Sequence, residues 1–318
     1  MSEAKPQRVK QVRRALHGVL LLDKPLGLSS NQALQKAKWL LRAEKAGHTG
    51  TLDPLATGLL PLCFGAATKF SQVSLDANKV YEATLKLGET TRTGDAEGEI
   101  LQTRPVALTR EQIDAACAAF VGEIDQVPPM HSALKHEGRA LYDYAREGVE
   151  IARAPRRVTI HSIDILDWHD ASLTIAVRCS KGTYIRTLAD DIGERLGCGA
   201  HLSALRRTGS GPLQLRDAIS LDALAAMTEA EREAMLRPPD VLLQQWPALV
   251  LEADDAARFL TGLRRRVKAP DAPQVRVYGP GQALLGSAHV RAGELIADRL
   301  LSPQEVQQLQ QEELRRSA

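Results

Sequence analysis

The sequence predicts an α+β body followed by a small β-rich unit, and three observations support this fold class. Strand-like and helix-like patterns follow one another through about residue 236. Short strand-like pieces separated by glycine and proline turns fill residues 249–301, which is typical of a small barrel. The 318 residues suffice for about two domains, at roughly 150 residues per domain.

The first half of the chain contains two predicted strands and two predicted helices. Residues 18–23 form an apolar run fit for a buried strand, and residues 80–87 alternate as a half-buried strand does. Ser29 or Ser30 is expected to cap a helix that runs to about Leu41. Thr109 opens a capping-box pattern and a second helix to about Phe120. A glycine-rich loop is expected at residues 47–58.

The second half continues the pattern after an excursion at residues 127–148. Residues 158–166 and 173–179 alternate as strands that can pair antiparallel. A helix is expected after Lys181-Gly182, ending near Gly197, and another at residues 221–236. Prolines at 238–239 and 247 indicate the boundary to the β-rich unit, whose strands are expected at residues 275–278, 284–288 and 295–300.

Composition excludes several classes of protein. Hydrophobic residues make up 44% and charged residues 25%, values typical of a folded domain and not of disorder or a coiled coil. The longest apolar run, residues 55–67, contains Gly58 and Pro61 and is too short to span a bilayer, and the N-terminus has no secretory pattern. The four cysteines are scattered, so reduced thiols, a cytoplasmic location and no bound metal are expected.

Basic residues cluster at several places although the net charge is only +2. The clusters lie in residues 5–14, 153–157, 206–207 and 264–268, whereas acids concentrate in residues 229–233 and 312–313. Separated basic patches suit binding to a phosphate backbone, although a solvated surface explains any single cluster equally well.

The loop at residues 47–58 contains the most informative motif, His-Thr-Gly-Thr-Leu-Asp-Pro at 48–54. A carboxylate followed by proline among glycines can be held rigidly while a substrate approaches the backbone. The loop lacks the GK[ST] ending of a phosphate-binding P-loop. On its own, Asp53 fits a turn residue and His48 a hydrogen-bonded loop residue at least as well.

Seven blocks occurring in order resemble the bacterial tRNA pseudouridine-55 synthase (TruB) family: residues 22–30, 47–58, 67–70, 79–81, 129–135, 179–187 and 197–207. The resemblance covers about residues 16–225. It implies a catalytic domain at 16–248 on a mixed, largely antiparallel sheet with flanking helices, and an RNA-gripping insertion at about 128–157. It also implies a PUA-like RNA-binding domain at 249–318. The basic residues near the N-terminus independently predict a flexible basic tail at 1–15.

The resemblance implies isomerisation of uridine 55 in the TΨC loop of tRNA, by base flipping and without cofactor or metal. Asp53 matches the family's nucleophile, and whether it attacks C1′ or C6 stays open. Arg186 matches the arginine that pairs with this aspartate. Other matches are Tyr81 and Tyr184 against the base, Leu205 as an apolar base contact, His48 against the tRNA loop, and Lys24 in a supporting position. His131 departs from the pattern, since the family commonly has an aromatic residue there.

Two alternatives belong to other functional classes. A non-catalytic tRNA-binding or tRNA-folding protein would use the same basic patches, but the complete set of Asp53, Tyr81, Tyr184 and Arg186 argues against it. An aspartate-dependent hydrolase needs a second acid or a base, and only Asp190 and Asp191 suggest themselves. The expected partner is the T stem-loop of tRNA, with no membrane, no protein partner and a monomeric state.

Overall fold

The computed structural model describes residues 12–132 and 134–317. Its strands are β1 (Gly18–Lys24), β2 (Ala46–His48), β3 (Ala56–Phe64), β4 (Lys79–Leu87), β5 (Glu89–Thr91), β6 (Ile100–Thr103), β7 (Gly122–Gln126), β8 (Lys135–His136), β9 (Arg139–Ala140), β10 (Arg156–His169), β11 (Ser172–Cys179), β12 (Ala200–Ser210), β13 (Leu213–Gln214), β14 (Ile219–Ser220), β15 (Ala248–Val250), β16 (Arg265–Arg266), β17 (Ala272–Tyr278), β18 (Leu284–Arg291) and β19 (Glu294–Leu300). Its helices are α1 (Ser30–Leu40), α2 (Ser71–Asp76), α3 (Arg110–Ala118), α4 (Leu141–Arg146), α5 (Ile185–Leu196), α6 (Leu221–Ala226), α7 (Glu229–Ala234), α8 (Ala253–Leu260) and α9 (Pro303–Ser317).

The body is built on one mixed sheet, as expected. Its strand order is β14-β1-β3-β12-β4-β11-β10-β7, with β2 beside β3 and β13 beside β12. Only β1–β14 and β3–β12 are parallel, and the other pairs are antiparallel. The sheet is therefore largely antiparallel, with β3, β12 and β4 side by side near its centre.

Apolar clusters cover the sheet and explain the apolar patterns in the strand sequences. Leu20 and Leu22 of β1 pack in one cluster with α1 and α6, whereas Val19 and Leu21 pack in another. This strand is thus buried on both faces, which accounts for its continuous apolar run. A further cluster joins β4 and β11 to α5 and α3.

Several predicted local features are confirmed. Ser29 caps α1 with a complete capping box, and Thr109 does the same for α3. The predicted strands at 158–166 and 173–179 lie within β10 and β11, which pair antiparallel. Helix α5 ends at Gly197, whose φ of 81° is the left-handed conformation that glycine adopts readily.

Two predictions about local structure were wrong. The single helix expected at 221–236 is two helices, because Thr228 caps a new start at α7. The expected loop at 47–58 is shorter, since β2 and β3 pair at its two ends. The fold also brings together charge clusters that are far apart in the sequence, since Arg14 lies 2.9 Å from Glu229. Arg14 therefore has an acidic partner, and the tail residues 1–11 lie outside the described residues.

The excursion at 127–148 contains a short hairpin followed by a six-residue helix. Strands β8 and β9 pair with each other and with no other described strand, and α4 follows directly. The Arg139 guanidinium lies over the Tyr144 ring at 4.6 Å, and Arg146 lies over Tyr142 at 5.4 Å. Cation–π contacts thus tie the basic residues of this excursion to its own aromatics.

The C-terminal unit is a curled five-stranded sheet that fits a PUA-like domain. Its order is β15-β17-β18-β19-β16, with α8 and α9 beside it. Helix α9 lies against the body, where His17 Nε2 is 2.7 Å from Gln308 Oε1 and Lys69 Nζ donates to Glu305 at 2.6 Å. A shared apolar cluster includes Phe70 of the body and Leu309 of α9. Removing the unit would therefore expose apolar surface of the body.

Candidate active site

A cavity of about 350 Å³ lies over the centre of the large sheet. Its walls come from the 49–55 loop, from β4 and β12, from the segment before α5, and from the start of the 127–148 excursion. Among its lining residues are Asp53, Tyr81, Tyr184, Arg186, Leu205 and Arg207. Its size is at the lower end of small-molecule sites. The tertiary structure thus brings together most of the residues that the sequence placed at a site.

The loop that presents Asp53 is fixed on both sides of that residue. Ser30 Oγ donates to the Leu52 carbonyl oxygen at 3.0 Å and accepts from the Leu52 amide at 2.7 Å. The Gly27 amide donates to the Pro54 carbonyl oxygen at 2.9 Å. The Asp53 side chain itself is 45% exposed. The carboxylate is therefore accessible to a substrate while its backbone is held in place.

Arg186 lies between two carboxylates. Its Nη2 is 3.0 Å from Asp53 Oδ2, and its Nη1 is 3.3 Å from Asp95 Oδ2. The arginine and Asp95 are buried, with 8% and 5% of their side chains exposed. The carbonyl oxygens of Thr93 and His131 accept further bonds from the guanidinium. Because Asp95 partners Arg186 permanently, Asp53 can change its charge or covalent state without leaving a buried cation alone.

Asp95 is itself held by a tight turn. Thr93 Oγ1 donates to Asp95 Oδ1 at 2.6 Å, and the Glu97 amide donates to the same oxygen at 3.1 Å. The Ala96 amide bonds to the Leu202 carbonyl oxygen on β12. This turn is thereby tied to the central sheet, and Asp95 fixes the orientation of Arg186.

Tyr81 and Leu205 form the apolar wall of the cavity. On adjacent antiparallel strands, Leu205 pairs with Ala83 and Arg207 pairs with Tyr81. Residues two apart on a strand share a face of the sheet, and so do directly paired residues. The side chains of Tyr81, Leu205 and Arg207 therefore lie on the same face and line the cavity. Burial raises the pKa of Tyr81, an effect that the nearby Arg207 guanidinium opposes. Tyr81 is therefore both a wall residue and a polar group of the cavity.

Tyr184 stands at the start of α5 and also lines the cavity. The buried Gln126 side chain clamps its backbone, accepting from the Tyr184 amide at 3.1 Å and donating to its carbonyl oxygen at 3.3 Å. Burial raises the pKa of Tyr184 above its ordinary value. The clamp from the end of β7 sets where the aromatic ring and Arg186, two residues later, enter the cavity.

Arg207 is buried, with 1% of its surface exposed, so it cannot belong to the predicted surface patch at 206–207. Its Nε donates to the Leu59 carbonyl oxygen at 2.7 Å. Its backbone packs against Gly58, where an added Cβ would lie 2.4 Å from the Arg207 carbonyl oxygen. Glycine at 58 is thus required for β3 and β12 to approach each other here. The neighbouring Arg206 is ion-paired with Asp23 at 2.7 Å.

Lys24 and Lys79 are buried cations that bond to backbone carbonyl groups. Lys24 is 0% exposed, and its Nζ donates to the carbonyl oxygens of Pro25 and Leu28. Lys79 donates to the carbonyl oxygens of Ser74, Leu75 and Ala77, at the end of α2. Burial lowers the pKa of each lysine to about 8. Lys24 lies behind the Asp53 loop and not in the cavity wall, in a supporting position.

Two histidines and two acids singled out by the sequence lie outside the cavity wall. His48 Nδ1 is 3.1 Å from the Gly50 carbonyl oxygen, and burial lowers its pKa. His131 contacts Arg186 through its carbonyl oxygen. Asp190 and Asp191 line a second cavity, on the far side of Arg186, together with His131. The acid nearest to the Asp53–Arg186 pair is therefore Asp95 and not either of these two.

Sequence reasoning missed Asp95, Gln126 and the buried position of Arg207. Asp95 follows Thr93-Gly94 in a stretch that reads as an ordinary turn, and Gln126 ends an edge strand. A cue for Arg207 was available: it lies two residues after Leu205 on an alternating strand, and must share its face.

Among the described residues, no group of three or more His, Cys, Asp or Glu side chains is arranged to hold a metal ion. None of the described helices has the length and apolar character needed to cross a membrane.

Comparison with known families identifies this arrangement. Residues 38–185 match the N-terminal domain of the TruB family of pseudouridylate synthases, and residues 186–244 match the C-terminal domain of tRNA pseudouridylate synthase B. The chain therefore belongs to the TruB family of pseudouridylate synthases.

Individual relatives are similar over nearly the whole chain. The tRNA pseudouridine synthase B of Verminephrobacter eiseniae is 60% identical, with 95% of this chain and 94% of that protein aligned. That of Ralstonia nicotianae is 59% identical, covering 95% and 99% of the two chains.

Solved structures support the fold. A structure of an H/ACA RNP bound to a substrate RNA containing 2′-deoxyuridine has a chain with a TM-score of 0.70 and 24% identity. The alignment covers 91% of this chain and 86% of that one. A chain of an archaeal box H/ACA sRNP complex also gives a TM-score of 0.70, at 23% identity, with 92% and 88% covered.

Proposed function

We propose that this protein isomerises uridine to pseudouridine at position 55 in the TΨC loop of tRNA. The observation that carries the proposal is the accessible Asp53 carboxylate, 3.0 Å from the buried Arg186, at a cavity lined by Tyr81, Tyr184 and Leu205. The relatives named above act on tRNA according to their names. The target position follows from the motif blocks that resemble the tRNA pseudouridine-55 synthases.

Asp53 is proposed as the nucleophile. The reaction breaks the bond between N1 of uracil and C1′ of ribose, turns the base, and joins C5 to C1′. Whether the carboxylate attacks C1′ or C6, one of its oxygens is the attacking atom, and its Oδ2 lies 3.0 Å from Arg186 Nη2. Arg186 also fixes the direction from which Asp53 approaches, since both Asp95 and the Thr93 carbonyl oxygen hold its guanidinium.

The cavity residues are proposed to hold a base that has left its stack. Extrusion of a nucleotide costs a few kcal/mol, roughly, and stacking on aromatic rings offsets this cost. Tyr81 and Leu205 line the cavity from strands β4 and β12, and Tyr184 lines it from the residue before α5. A planar pyrimidine placed between them would have one edge near Asp53. His48, on β2, is proposed to contact the tRNA loop, and Lys24 would support the loop that carries Asp53.

RNA binding is proposed for basic side chains of the insertion and of the C-terminal unit. Within the insertion, Arg139, Arg153 and Arg157 are already ion-paired with acids. Lys135, Arg146 and Arg156 form no ion pair with a described residue, and these three are the better candidates for phosphate contacts. In the C-terminal unit the same holds for Arg266 and Lys268. The protein would act as a monomer on the T stem-loop.

The test is incubation with an unmodified tRNA transcript, followed by site-resolved mapping of pseudouridine. We expect modification at position 55 alone, without added metal or cofactor. A transcript carrying cytidine at that position is the matched control and should stay unmodified. Pseudouridine at another position would refute the assigned target, and none at all from a folded protein that binds the tRNA would refute the activity.

A further inference from the structure

Arg207 occupies the centre of the sheet beneath the cavity. Its strand, β12, lies between β3 and β4, and Arg207 pairs in register with Gly58 on one side and Tyr81 on the other. Directly paired residues of antiparallel strands extend from the same face, so the guanidinium and the Tyr81 ring stand side by side. Both line the cavity that also contains Asp53.

The hydrogen bonds of Arg207 do not account for its burial. Nε donates to the Leu59 carbonyl oxygen, but the buried Nη2 has no hydrogen-bond partner among the described residues. No described carboxylate forms an ion pair with this arginine, in contrast to Arg186. Lys24 and Lys79 are also buried without a carboxylate, but each donates to several carbonyl oxygens. A buried guanidinium nitrogen that has no partner is costly to stability, so a structural role alone explains Arg207 poorly.

The chemistry of the proposed reaction requires a proton to move. Uridine carries hydrogen on C5 and a glycosidic bond at N1, whereas pseudouridine carries the glycosidic bond at C5 and hydrogen on N1. The net change in the base is therefore one proton transferred from C5 to N1. Since turning the base puts C5 where N1 had been, beside C1′, one fixed hydroxyl can face both atoms in turn.

We propose that Arg207 is a positioning residue that holds the Tyr81 hydroxyl at this place and stabilises the phenolate formed there during turnover. This inference rests on the function proposed above. As the N1–C1′ bond breaks, its electron pair goes to N1, which takes the phenol proton, and Tyr81 becomes a phenolate. Electrons of the C5=C6 bond then form the bond from C5 to C1′, and the bond that Asp53 has made to C1′ or C6 breaks, with its electron pair returning to the carboxylate. The phenolate takes the proton from C5, and the electrons of that C–H bond restore the C5=C6 double bond. Tyr81 ends as it began.

The electrostatics around Tyr81 suit this sequence. Burial raises its pKa and keeps the resting side chain protonated, ready to donate. The charged or titratable groups that act on it are Arg207, Cys179 and Asp53. Burial raises the pKa of Cys179 to about 11, so this neighbour is a neutral thiol, and Asp53 disfavours the phenolate. Arg207 is the cation in this set, and it favours the phenolate.

The test is a double-mutant cycle of Arg207→Met and Tyr81→Phe, measured as single-turnover pseudouridine formation and as tRNA affinity. We expect Arg207→Met to lower the rate by about 10²-fold or more while affinity changes little. In a protein that already carries Tyr81→Phe, Arg207→Met should lower the rate little further, because the hydroxyl on which Arg207 acts is absent. With deuterium at C5 of the target uridine, Arg207→Met should show a larger isotope effect than the wild type.

Two further variants separate this role from a merely structural one. Arg207→Lys keeps a cation and should recover part of the rate that Arg207→Met loses. Arg232→Gln removes another arginine that donates to backbone carbonyl groups, far from the cavity, and should leave the rate unchanged. If Arg207→Met does not fold, the cycle is run with Arg207→Lys, which should again lose its effect in the Tyr81→Phe background.

The outcomes distinguish this inference from the proposed function. If the wild type is active, two results would overturn the role of Arg207 and leave the proposed function intact. Either the Arg207 variants keep the wild-type rate, or the double variant loses the full product of the two single rate losses. A wild type that forms no pseudouridine would overturn the function itself.

Discussion

Arg186 Nη2 lies 3.0 Å from Asp53 Oδ2, and this contact joins a side chain that is almost fully buried to one that is nearly half exposed. The arginine is fixed from within by Asp95 and by two backbone carbonyl groups. The Arg186 guanidinium is therefore held in place by groups other than Asp53.

Asp53→Asn should abolish turnover while tRNA binding persists. The amide is isosteric but is a far weaker nucleophile, and binding is spread over many basic residues, so we expect a loss of about 10³-fold or more in kcat. The checks are pseudouridine formation and a binding titration. Asp164→Asn, an exposed change on β10, is the control. Turnover near the wild-type rate in Asp53→Asn would exclude Asp53 as the nucleophile.

Asp95→Asn should impair both stability and catalysis. Removing one partner of a buried ion pair is costly, and we expect about 3 kcal/mol of lost unfolding free energy. Arg186 then has only Asp53 as an acidic partner, so kcat should fall as well. Urea denaturation and single-turnover kinetics measure the two effects. Unchanged stability and rate would mean that Asp95 does not hold Arg186 in place.

Asp191→Asn should stabilise the protein at neutral pH but not near pH 4. Burial, with a contribution from Asp190, raises the pKa of Asp191 from 3.8 to about 6. Below pH 3.8 the carboxyl is protonated in both folded and unfolded states and costs nothing. Above pH 6 the charge is fully disfavoured in the folded state, so the penalty grows between these values. We expect a gain of about 1–2 kcal/mol at pH 7.

Asp191→Asn is checked by thermal or urea unfolding at pH 4 and pH 7. Asp164→Asn, on an exposed position, should show no such pH-dependent gain. An equal effect of Asp191→Asn at both pH values would argue against a buried charge at this position.

Gly58→Ala should destabilise the fold and lower the reaction rate. Its φ of 97° disfavours an L side chain, and the added Cβ would meet the Arg207 backbone at 2.4 Å. We expect a loss of about 2 kcal/mol or more, with displacement of Arg207 beneath the cavity. Gly262 has a similar φ of 82°, but an added Cβ there would have no atom within 4 Å. Gly262→Ala therefore measures the cost of the backbone conformation without the steric clash. Equal unfolding free energies for the two variants would contradict the close approach.

Lys69→Met should loosen helix α9 from the body. Lys69 Nζ donates to the Leu300 carbonyl oxygen at 2.9 Å and pairs with Glu305. These groups are partly exposed, so we expect only about 1 kcal/mol, but hydrogen exchange in residues 303–317 should become faster. Lys268→Met, at an exposed position without an ion pair among described residues, is the control. Unchanged exchange in α9 would show that the apolar cluster alone fixes the helix.

Local patterns in the sequence were enough to predict many of the helices and strands. The capping boxes at Ser29 and Thr109, the glycine at 197 and the alternation of residues 80–87 all depend on groups within a few positions of each other. Such groups interact by short-range hydrogen bonds and by side-chain periodicity, which the sequence displays directly. The helix expected at 221–236 was wrong because the cap at Thr228 outweighs continuous helix formers on either side.

What only the tertiary structure decided was the electrostatics of the site. The sequence determined an α+β fold, family membership and the set that includes Asp53, Tyr81, Tyr184 and Arg186. It did not reveal that Asp95, 91 positions before Arg186, shares its guanidinium, or that Arg207 is buried beside Tyr81. Burial and charge pairing depend on which strands lie side by side. That order follows from packing of the whole sheet, where residues far apart in the chain become neighbours.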